Sequence, residues 1–122
     1  MSIRIKRIYS IACKEDGCRI LVDGVWPRGV SKQEAQIEYW KKAVAPSKEL
    51  RQWFQHDPAK YNDFKEAYKK ELNNVEEKRE ALSALKQLVK AQEKEVTLLF
   101  GAKEETFNHA NVLKEILDHQ PV

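Results

Sequence analysis

The chain has 122 residues, 42% of them hydrophobic and 34% charged, which suits a soluble globular domain and is too apolar for a disordered chain. Lys and Arg number 22 against 19 Asp and Glu, a net charge of +3, and this mixed surface permits nucleic-acid binding without arguing for it. One domain of this length can bury a core without disulfides or a structural metal, and the lack of a signal-peptide core or a membrane-length apolar run leads us to expect a cytoplasmic protein.

Ile3-Arg-Ile-Lys-Arg-Ile8 mixes β-branched and basic residues in partial alternation, which predicts a half-buried or edge strand over 3–8. Lys14-Glu-Asp-Gly17 is turn chemistry. The cysteines around it, Cys13 and Cys18, lack the further ligands of a zinc site and the spacing of a thioredoxin pair, and read as reduced thiols. A second, more buried strand is expected over 19–26, ended by Pro27 and Gly29. In 31–44, Ile37, Trp40 and Val44 fit a helical stripe and predict a short helix.

Ser47 is a candidate N-cap for a helix burying Leu50, Trp53 and Phe54, and Asp57-Pro58 marks a further start. Tyr61, Phe64, Tyr68 and Leu72 then recur at helical spacing until Asn73-Asn74 breaks the run. A helix over 76–92 turns Leu82, Leu85 and Val89 inward, and the apolar run 95–101 reads as a buried strand. A last helix over 107–119, capped by Thr106, buries Ala110, Leu113, Ile116 and Leu117. Together these predict an α/β fold: a single small domain, 1–122, with a mainly parallel central sheet (strands near 3–8, 19–26 and 95–101) flanked by helices. Only about ten residues join the first two strands, short for a right-handed crossover, so a hairpin and the strand order both stay open.

Chemistry is expected where the apolar run 95–101 meets the last helix. In α/β proteins ligands collect outside the carboxyl ends of strands, and a helix start offers unpaired N–H groups to an anion. Lys103, Asn108 and His109 lie in that turn. His109, at the positive end of the helix dipole, suits a neutral imidazole, either as general acid or base or as a holder of loop carbonyls. Asp23-Gly-Val-Trp-Pro-Arg-Gly29 is the second segment. There Arg28 is placed as a reader of phosphate or carboxylate, with Trp26 beside it and Asp23 as its orienter or as a base. The competing reading makes Trp26 core and Arg28 a surface ion pair. Arg51 and His56 either line a cleft or are helix-end charges. Nothing names a metal or cofactor: the phosphate-binding, dinucleotide, zinc-protease and nucleophile-elbow motifs are all missing from the sequence.

Leu-Val-Asp-Gly-Val-Trp-Pro-Arg-Gly, Ala-Pro-Ser-Lys-Glu-Leu-Arg-Gln-Trp-Phe, His-Asp-Pro and Thr-Leu-Leu-Phe-Gly-Ala-Lys with Asn-His-Ala-Asn-Val-Leu occur here in order. This pattern resembles the YeaO-like branch of domain-of-unknown-function family 488, from Lys6-Arg7 to Leu117. The resemblance implies a small α/β domain in which Asp23, Trp26, Arg28, Arg51, Lys103, Asn108 and His109 gather at one cleft. It also implies two departures. The wider family often has Cys-His-Arg where this chain has Asn108-His109-Ala110, which excludes thiol chemistry there, and relatives commonly carry arginine at the position of Gly24. The resulting expectation is an anion-binding cleft for a small phosphorylated, carboxylated or nucleotide-like ligand, with Arg28, Trp26, Arg51, Lys103 and Asn108 binding and His109 and Asp23 available for catalysis. A DNA-binding regulator built on the helix pair 61–72 and 76–92, and a protein-interaction module, are the alternatives.

Overall fold

The computed structural model describes residues 3–119. Four parallel strands form one sheet in the order β1-β4-β2-β3: β1 Ile3–Arg7, β2 Cys18–Leu21, β3 Tyr39–Trp40 and β4 Val96–Phe100. The helices are α1 Lys32–Ala35, α2 Lys48–Phe54, α3 Tyr61–Asn74, α4 Glu76–Ala91 and α5 His109–Asp118. Because β4 is paired in parallel with both β1 and β2, the first two strands are not a hairpin. All five residues of β4 are buried, as befits an interior strand with a neighbour on each side.

The two faces of the sheet are covered differently. Ile20, Val22, Leu98 and Phe100 face the main core, built with Phe54, Phe64, Tyr68, Leu85 and Leu113 from the longer helices. Leu21 and Leu99 face a smaller cluster closed by Ile8 and Ala35, against which Trp26, Val30 and Ile37 pack. The connection over 8–17 contains only a 3-10 turn, Lys14–Asp16, and Asp16 holds it to the sheet. Its buried carboxylate accepts from Arg19 Nη1 (2.6 Å), Lys6 Nζ (3.0 Å) and Cys13 N–H (3.1 Å), while its carbonyl accepts from Thr97 Oγ1 (2.7 Å). One residue thus bonds to β1, β2 and β4, which explains how so short a crossover can be stable. Burial pushes the Asp16 carboxyl up, but the Cys13 N–H, Lys6, the Cys13 thiol and Arg19 outweigh it and hold the group at about 2.

Several expectations need correction. The second strand stops at Leu21 rather than running to 26, because the chain leaves the sheet at Val22-Asp23. The helix expected in 31–44 is only Lys32–Ala35: Ser31 and Glu34 form a capping box, and Gln36 ends it in the left-handed region at φ 46°. The stripe residue Trp40 instead lies on the edge strand β3, paired with Leu21. Trp53 is exposed, with Lys60 over its ring, while Phe54 takes the buried place. Asn73-Asn74 does not break α3, which includes both, and Val75 separates it from α4. The last helix is capped by Asn108, not Thr106.

Candidate functional site

At the carboxyl end of the sheet the neighbours β2 and β4 diverge. After β2 the chain passes to the face that holds Trp26 and Val30, whereas after β4 it passes to the face covered by α5. Such a parting of adjacent parallel strands is where α/β folds open a crevice. A cavity of about 250 Å³ lies there, bordered by residues that follow both strands, by the start of α5 and by the end of α2.

Its polar side consists of Asp23, Arg51, His56 and His109, and its apolar side is formed chiefly by Phe54, Phe64, Val25 and Ala102. Asp23 clamps the two strand ends together: Oδ2 accepts from Gly101 N–H at 2.8 Å. A Cβ at position 101 would stand 3.0 Å from that oxygen, so glycine keeps this approach open. The other oxygen, Oδ1, is buried and has no hydrogen-bond partner among the described residues, although His109 Nε2 is 3.3 Å away. The distance suits an ion pair, but the ring nitrogen is directed at the Val22 carbonyl, 3.1 Å away. Since a carbonyl only accepts, Nε2 carries the hydrogen. Tyr68 supports the imidazole edge-on at 6.2 Å, and its own hydroxyl, buried and donating to the Val44 carbonyl, is pushed well up by burial and by Glu71 and Asp23.

Arg51 reaches the cavity from α2, and its guanidinium has no hydrogen bond or ion pair among the described residues. His56 arrives by an unusual backbone path: Gln55 and His56 both lie at positive φ, 47° and 55°, before Asp57 caps the next turn through Ala59 N–H. Two consecutive left-handed non-glycine residues are strained and place the imidazole beside Phe54, ring centroids 5.5 Å apart. Burial and the neighbouring His109 lower the His56 imidazole's affinity for protons, against the pull of Glu104 and Asp23. Among the described residues no group of His, Cys, Asp and Glu is arranged to hold a metal ion.

Of the residues singled out in the sequence, Asp23, Arg51, His56 and His109 meet at this cavity. The others lie off it. Arg28 is exposed on the loop after Pro27, where its carbonyl accepts from Tyr9 Oη at 2.9 Å. Trp26 belongs to the opposite face, donating to the Val30 carbonyl at 2.7 Å and meeting Trp40 edge-on. Lys103 is exposed. Asn108 is fully buried and occupied at both ends: Oδ1 accepts from Asn111 N–H (2.9 Å) and Nδ2 donates to the Glu104 carbonyl (2.8 Å). The N–H groups of Thr106 and Phe107 are turned to Glu104 Oε2. Of the first-turn donors that make a helix start attractive to phosphate, the Asn111 N–H is therefore already taken by the cap. Sequence reasoning left His56 undecided and missed the apolar wall. The His-Asp-Pro turn was the available signal for the former, since histidine is among the few non-glycine residues enriched at positive φ.

The model of the family described as "Inactive DUF488-N3 subclade" matches residues 2–121, and the chain belongs to that family. It is 40% identical over 117 residues to "Uncharacterized protein YeaO" of Escherichia coli K12, covering 96% of this chain and 97% of that one. It is 35% identical over 116 residues to "Uncharacterized protein Rv3073c" of Mycobacterium tuberculosis H37Rv, covering 95% and 93%. No solved structure matches. Among the described residues no helix is long and apolar enough to cross a membrane.

Proposed function

We propose that this family member is a binding protein whose cavity captures a small anionic organic molecule. The observation that carries the reading is the Arg51 guanidinium, which borders a largely apolar cavity and has no partner among the described residues. Exposed at the cavity's edge and unpaired, such a fork is a strong bidentate receptor for carboxylate or phosphate. His56 and His109 add ring nitrogens, and the Phe54–Phe64 wall, with rings 4.0 Å apart, supplies a surface for an apolar body. Binding is favoured over turnover for two reasons. Among the described residues the cavity is lined by no Ser, Cys or Thr that His109 could activate, and the family description carries the word "Inactive".

Thermal shift against small carboxylates, phosphate esters and nucleotides tests this, comparing wild type with Arg51→Gln and Arg28→Ala. Saturation about a hundredfold above Kd adds roughly 2.7 kcal/mol, or several degrees for a domain of this size. The shift is expected to vanish in Arg51→Gln and to survive in Arg28→Ala. The reverse pattern would place the receptor on the 24–30 loop and overturn the cavity as the site.

A further inference from the structure

Resting on that reading, we infer that the cavity takes a small carboxylate with an apolar body, and that its capture places a proton on His109. Two features bear on the ligand class. One unpaired guanidinium matches the two oxygens of a single carboxylate, while Asp23 in the same cavity opposes a second negative charge on the ligand. The N–H groups of Thr106, Phe107 and Asn111, which would help a phosphate, are committed to Glu104 and Asn108. The rest of the wall is mainly apolar and suits a compact hydrocarbon body.

The proton follows from the histidine's bonding. Nε2 donates to the Val22 carbonyl, so in the neutral ring Nδ1 is an acceptor, and among the described residues it has no partner. An acceptor nitrogen repels a carboxylate oxygen. Protonation turns Nδ1 into a donor toward the ligand and gives the ring the charge that the buried, unpartnered Asp23 Oδ1 can balance from 3.3 Å. The orphaned oxygen is thus explained as the counter-charge for the ligand-bound state. His56 and Arg51 from the α2 end and Tyr68 from α3 also approach the ring.

Isothermal titration with benzoate, isovalerate, phenyl phosphate and benzamide decides the matter, run at pH 7.5 in two buffers of different ionisation enthalpy. Benzoate or isovalerate should bind with net proton uptake, and benzamide should not bind. Asp23→Asn should keep the Gly101 contact yet lose most of the uptake and weaken binding about tenfold. His109→Gln should abolish uptake. Carboxylate binding with the same heat in both buffers would overturn the coupling, and preference for phenyl phosphate would overturn the ligand class, while either result leaves anion capture intact. Failure of every anion, with Arg51→Gln indistinguishable from wild type, would remove both this inference and the function it rests on.

Discussion

Replacing Asp16 by Asn removes a carboxylate that accepts hydrogen bonds from Arg19, Lys6 and Cys13 while leaving a side chain of the same shape. Its descent from an ordinary 3.8 to about 2 corresponds to roughly 2.5 kcal/mol at about 1.36 kcal/mol per pH unit. Stranding the buried Arg19, which keeps only the Ala35 carbonyl, costs in the same range: breaking a buried pair is typically about 3–5 kcal/mol. We therefore expect Asp16→Asn to lose about 3 kcal/mol at pH 7, a large part of the 5–15 kcal/mol that domains usually have. The pH dependence supplies the control. Because the folded-state value is depressed, the carboxylate's contribution is complete above about pH 4 and is lost as pH falls through about 2. Urea denaturation of both proteins from pH 7 to pH 2 should show the gap between them closing over that lower window, since protonated Asp resembles Asn and all other groups titrate in both. A gap that stays constant to pH 2 would refute the view that ionised Asp16 anchors the crossover.

Asn108→Ala should cost about 2 kcal/mol in urea denaturation, from the lost cap on Asn111 N–H and the unpaired Glu104 carbonyl, and should speed hydrogen exchange at Asn111. Tyr68→Phe leaves the buried Val44 carbonyl without its donor and should cost about 1–3 kcal/mol by the same measurement. Gly24→Arg is sterically tolerable, its Cβ coming 3.4 Å from that of Ala45, and puts a second guanidinium at the cavity. Benzoate titration should then tighten about tenfold, and unchanged affinity would argue that position 24 does not reach the ligand.

Legibility in the sequence followed the range of the forces. β4 and the helices α3 and α4 could be read because their apolar residues repeat on one face over several turns or fill one uninterrupted run. Residues 31–44 were misread because Ile37, Trp40 and Val44 share helical spacing by coincidence, while the real determinants are the left-handed stop at Gln36 and the pairing of Trp40 with Leu21. The pairing of β4 between β1 and β2 depends on contacts roughly eighty to ninety residues apart and left no local trace. At the cavity, Asp23 and His109 were identifiable because each follows a buried strand. Arg51 and His56 join them only through the folding of α2 onto α3 and the Gln55-His56 kink, which no spacing rule encodes.

The position of β4 also governs when the protein can be assembled. During synthesis at about 5–20 residues per second, β1 and β2 emerge among the first segments, yet the strand that joins them comes some seventy-five residues later. A nascent chain that stops short of Val96 has two unpaired strand edges where the filled sheet should be, which exposes it to pairing with other chains. The emergence of β4, rather than gradual growth of the sheet, is then the moment at which this fold closes, and truncations that remove Val96–Phe100 should aggregate rather than fold as smaller versions of it.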